Sequence, residues 1–120
     1  MADKIEYRNY LTIDYRDGFI RVGKGVVRSL NKPEYISLMI NEDKMTLAIM
    51  AANKQGVMTF KVPEGFLTID NKSFRIYSKG FVGIIADLLK VESKNTFRIK
   101  LSGHYDADFD AVVFELRKVI

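Results

Sequence analysis

Short runs of β-branched and aromatic residues, alternating with polar ones and separated by polar breaks, recur along the whole chain. Residues 7–15 set Leu11, Ile13 and Tyr15 against Thr12 and Asp14, which predicts a strand. Asp17-Gly18 marks a tight turn, and 19–22 a returning strand. After Gly23-Lys24-Gly25, the spacing of Val26, Val27 and Leu30 predicts a short helix. Asn31 is its expected end, since Pro33 prevents continuation. Strands are expected at 35–40 and 45–51, joined by a turn at 41–44. A strand at 57–62 follows, then the breaker Pro63-Glu64-Gly65, a short strand at 66–69, a turn at 70–72 and a strand at 74–77. Ser78 suits the N-cap of a longer helix at 79–90. In it Phe81, Ile84, Ile85 and Leu88 form a stripe expected to face the core. A turn at 92–95, a strand at 96–101, a loop at 102–110 and a last strand at 111–116 complete the chain.

The order of elements occurs twice. Residues 19–27 align with 74–82 at a constant offset, with Phe, Lys, Gly and Val recurring. The expected fold is therefore α+β: mostly antiparallel β with two helices, built from duplicated ββαββ units at about 7–51 and 57–117. Such units bury their apolar faces only by packing together, so 1–120 is expected to be a single domain with one core. An unduplicated α+β domain is the alternative.

Composition excludes more than it assigns. The 120 residues are 48% hydrophobic and 28% charged, as in ordinary globular domains. No apolar run has the length of a membrane helix, and the first residues lack the order of a signal peptide, so a cytoplasmic location and no membrane partner are expected. The absence of cysteine removes disulfides, thiolate catalysis and thiolate zinc sites. A single histidine, His104, leaves no multi-histidine metal site.

Charge is informative where it clusters. Residues 16–32 hold five cations, Arg16, Arg21, Lys24, Arg28 and Lys32, against one anion, Asp17. That window carries the whole net charge of +4. Clustered basic charge attracts phosphate backbones, so these five are the candidate nucleic-acid-binding residues. A solvated strand and short helix would show the same charges.

The stretch Asp17-Gly18-Phe19-Ile20-Arg21-Val22, with Val27-Arg28-Ser29-Leu30, Tyr35-Ile36-Ser37-Leu38 and Asp43-Lys44-Met45-Thr46-Leu47, resembles the AbrB/SpoVT/MraZ swapped-hairpin family. The resemblance implies a cytoplasmic DNA-binding regulator of transcription or cell division, working through basic residues of its N-terminal hairpins. Arg16, Arg21, Lys24 and Arg28 stand at the matching positions of the first copy, and Arg75 and Lys79 at those of the second. Phe19 stands where that family usually carries Arg. The chain is also similar to one domain of a DNA sliding clamp. There 57–62 closes the first unit, the N-terminal strand completes the second, and the implied role is a protein-interaction module. A further similarity, to small bacterial proteins with the run Pro33-Glu34-Tyr35-Ile36, brings no activity with it.

Other candidate chemistry is thin. His104, Asp106, Asp108 and Asp110 are dense enough to converge on a hard cation, but they lack the glycine and distant glutamate of an EF-hand, and an acidic hairpin tip explains them better. Gly23-Lys24-Gly25 lacks the full phosphate-loop pattern. Tyr7, Tyr10 and Tyr15 lie beside the basic window, a mix that suits stacking of single-stranded bases, though strand aromatics also serve as core or cross-strand pairs. No nucleophile is tied to His104, so no catalytic site, metal or cofactor is expected and the chain is not expected to be an enzyme. The expected partner is DNA or, failing that, a protein, which includes a second copy of the chain.

Overall fold

The computed structural model describes residues 8–53, 56, 58–68, 73–92 and 96–119. Expected elements at Tyr7, Val57, Ile69, 70–72 and 93–95 lie outside those residues. The chain runs β1 (Asn9–Asp14), β2 (Phe19–Gly23), α1 (Lys24–Ser29), β3 (Tyr35–Asn41), β4 (Thr46–Ala52), β5 (Thr59–Lys61), β6 (Ser73–Tyr77), α2 (Lys79–Leu88), β7 (Arg98–Asp106) and β8 (Ala111–Val119). The strands form one antiparallel, nearly closed sheet in the order β5-β3-β4-β8-β7-β1-β2-β6. This is the α+β class that the pattern of apolar positions predicts.

Three hairpins share one turn chemistry. Each has a four-residue connection whose last residue is left-handed: Gly18 (φ 70°), Met45 (φ 53°) and Asp110 (φ 49°). Before each turn an Asx side chain accepts a backbone N–H from within it. Asp14 Oδ1 takes Asp17 N at 3.0 Å, Asn41 Oδ1 takes Lys44 N at 3.1 Å, and Asp106 Oδ1 takes Asp108 N at 3.0 Å. The helices also end alike. At α1, Lys32 N donates to Val27 O and Asn31 N to Arg28 O; at α2, Val91 N donates to Ala86 O and Lys90 N to Asp87 O. Both are Schellman ends, with Asn31 and Lys90 left-handed.

The strand order has a twofold character. It is symmetric about the β4–β8 pair when β1 is exchanged with β5, β2 with β6 and β3 with β7. Hydrogen bonds follow the same exchange: Tyr15 N donates to Phe97 O where β1 leaves β7, and Val62 N to Glu34 O where β5 leaves β3. Each half thus lends its first strand to the other half's third. The symmetry breaks at one place. β1 and β2 pair through a tight turn, whereas β5 and β6 are the two edges of the sheet. Phe66 sits near that opening, buried edge-on against Phe74 with ring centroids 5.1 Å apart.

Three expectations are corrected. Residues 66–68 are a turn and not a strand: Phe66 N bonds Pro63 O, and Thr68 bonds Gly65 O through both its N–H and its hydroxyl. The expected loop at 102–110 is mostly strand, because β7 runs on to Asp106 past an irregularity between Leu101 and Gly103. Helix α2, capped by Ser78 Oγ on Phe81 N, buries Phe81, Val82, Ile85 and Ala86. Ile84 is 49% exposed and Leu88 only half-buried. The buried stripe is thus turned by about one residue from the expected one.

Candidate functional site

Strand alternation assigns Leu11, Ile13, Ile20, Val22 and Leu101 to the core, all fully buried. Their neighbours form the outer face of β7, β1, β2 and β6, and register lays them out in three rows. The first is Arg98, Asp14, Phe19, Tyr77; the second Lys100, Thr12, Arg21, Arg75; the third Ser102, Tyr10, Gly23, Ser73. Of these twelve positions, four are cations, three are aromatic and one is a carboxylate.

Phe19 explains how the centre of this face is built. It is only 2% exposed, yet it stands apart from the core cluster, because it is covered from outside. The Arg75 guanidinium lies 4.4 Å above its ring and the Arg21 guanidinium 5.4 Å. Tyr77 meets it edge-on at 6.0 Å, and Arg75 Nη1 donates to Tyr77 Oη at 3.4 Å. Like charges directly across a ladder repel. Here each cation is held over the same aromatic ring, an attraction worth about 0.5–1 kcal/mol at exposed sites. Two forked donors are thereby fixed side by side, an arrangement suited to an anion.

The remaining charges on the face are held as well. Arg98 pairs with the buried Asp14 at 3.7 Å, and Lys100 Nζ lies 4.5 Å over the Tyr10 ring. A groove of about 700 Å³ runs along the second and third rows, lined by Arg8, Tyr10, Thr12, Arg21, Gly23, Lys24, Ser73, Arg98 and Lys100 among others. Helix α1 is set tightly beside it. Asn9, buried at the start of β1, accepts from Ser29 Oγ at 2.9 Å, and a Cβ on Gly25 would lie 1.9 Å from the Arg8 carbonyl oxygen.

No family model, curated protein or solved structure matches the chain. The site therefore stands on its own chemistry.

Of the five candidate cations, Arg21 and Lys24 line the groove. Lys24 also lies 5.9 Å over the Phe66 ring. Arg28 is exposed one helical turn beyond Lys24. Arg16 is exposed in the β1–β2 turn, past the first row. Lys32 lines a separate cleft with Pro33, Lys61 and 63–68. Arg75, given less weight in the sequence, is the direct register partner of Arg21. Arg98 and Lys100 complete the face; alternation in 97–101 put them on one side of a strand, but only the pairing of β7 with β1 brings that side to Arg21.

The acidic hairpin tip carries a side-chain hydrogen bond of its own. Tyr105 Oη donates to Asp110 Oδ1 at 2.5 Å, and among the described residues no cluster of three or more His, Asp or Glu side chains is placed to hold a metal. Also among the described residues, no helix is long and apolar enough to cross a membrane.

Proposed function

We propose that the chain is a non-enzymatic nucleic-acid-binding protein whose contact surface is the outer face of β7, β1, β2 and β6. The observation that carries this reading is the Arg21–Arg75 pair, two guanidiniums held on the Phe19 ring with Lys100 in the same row. A row of cations with aromatic neighbours matches what a phosphate backbone requires. The resemblance to swapped-hairpin DNA-binding proteins supports the same reading, with Arg21, Lys24 and Arg75 kept as contacts and Arg98 and Lys100 added.

Binding of labelled oligonucleotides across a salt series tests it. Three neutralised phosphates give a slope of log affinity against log salt of roughly −2 on a single strand. Arg21→Glu with Arg75→Glu should abolish binding while the circular dichroism melt stays cooperative. Arg16→Glu with Lys32→Glu should weaken it much less. Wild-type protein that binds neither DNA nor RNA at low salt refutes the proposal and leaves the protein-interaction reading.

A further inference from the structure

We infer that this face takes single-stranded nucleic acid in preference to duplex, stacking bases on Tyr10 and Tyr77 and holding phosphates on Lys100, Arg21 and Arg75. The inference rests on the nucleic-acid reading above and deepens it. Duplex readout needs an element that enters a groove, a helix or a two-stranded ribbon. The rows described here lie instead on a four-strand sheet surface whose low positions are Thr12, Gly23, Ser73 and Ser102. Sheets of this kind bind unpaired bases by stacking them on aromatic side chains.

The arrangement of rings and charges fits a strand crossing the sheet. Tyr77, Arg21 and Tyr10 fall on one diagonal, each step moving one strand over and two residues along. With strands about 4.8 Å apart and a rise of about 3.4 Å per residue, the two tyrosines stand roughly 17 Å apart, with the arginine pair beside the midpoint. Tyr77 is 66% exposed, so most of its surface is open to a partner. Tyr10 lines the groove, with the Lys100 ammonium 4.5 Å over one face of its ring. Phe19, only 2% exposed beneath the two guanidiniums, is unavailable. Phe19 thus serves only the cations, while Tyr77 and Tyr10 also keep ring surface for bases.

The test compares a fluorescent twelve-nucleotide oligomer, the same sequence as duplex, and uridine monophosphate, at matched salt. Wild-type protein should favour the single strand at least tenfold. Tyr10→Leu and Tyr77→Leu should each weaken single-strand binding roughly 5- to 150-fold and duplex binding less, whereas Tyr10→Phe, which keeps a ring under Lys100, should bind as wild type. Equal affinity for both forms, or leucine variants that bind as wild type, overturns the inference while the nucleic-acid reading survives. The monophosphate binding as tightly as the oligomer also overturns it, by making the groove a mononucleotide site. Failure of every nucleic acid to bind sinks the underlying reading instead.

Discussion

Ile84 and Ile85 are adjacent, chemically identical and oppositely placed, which makes them an internal control for the packing of α2. Ile85 is fully buried and Ile84 is 49% exposed. Ile85→Ala removes three buried carbons, a transfer loss of about 2.4 kcal/mol at about 0.8 each. The cavity left behind raises the total into the range of about 2–5 kcal/mol. At Ile84 about half of that transfer term applies, and the better helix propensity of alanine returns about 0.4 kcal/mol, leaving a loss of about 1 kcal/mol or less. In urea, at a mid-range slope of about 2 kcal/mol per molar, Ile85→Ala should lower the midpoint by about 1–2.5 M and Ile84→Ala by about 0.5 M or less. Equal losses at the two positions, or a larger one at Ile84, would show that the buried face of α2 is assigned wrongly.

The repeated Lys-Gly step gives a second paired outcome. Gly25→Ala should destabilise by more than about 1 kcal/mol, since its Cβ would strike the Arg8 carbonyl at 1.9 Å. Gly80→Ala, with nothing within 4 Å, should be neutral or stabilising by up to about 1 kcal/mol; denaturant titration of the two variants checks both. At the hairpin tip, the hydrogen bond to Asp110, followed by burial and nearby carboxylates, raises the Tyr105 hydroxyl above the usual 10.0. The bond's contribution to folding is therefore complete below that value and is lost as pH rises through the raised one. Carbon-13 titration of the tyrosine ring should find the Tyr105 midpoint above 10 and bring it down in Asp110→Asn; a wild-type midpoint at or below 10 contradicts the bond.

Local chemistry was legible where it acts over a few residues. Asp17-Gly18, Asn31 before Pro33, and Ser78 each carry a turn or cap that forms within four or five positions, and each is found in place. The helix face at 79–88 was misread because a stripe at i, i+3, i+4 and i+7 is only one of the patterns an amphipathic helix can bury. The first helix held the better guide: Val26, Val27 and Leu30 correspond to Phe81, Val82 and Ile85, and all are buried. The candidate site was half legible for a different reason. Arg21 and Lys24 lie in a dense basic window, whereas Arg75, Arg98 and Lys100 arrive through long-range register, which no spacing within one segment reveals.

The exchange of first strands between halves bears on how the chain can be cut. β4 passes to β5 through residues 53–58, and the twofold correspondence makes the passage from β8 to β1 its equivalent. Joining residue 120 to residue 1 would supply more residues for that passage than 53–58 supply for the other. A circular permutant opened between Asn53 and Thr59 should therefore keep the full strand order without an added linker. Its tolerance of the cut would mark connectivity, in contrast to pairing, as the dispensable part of this architecture.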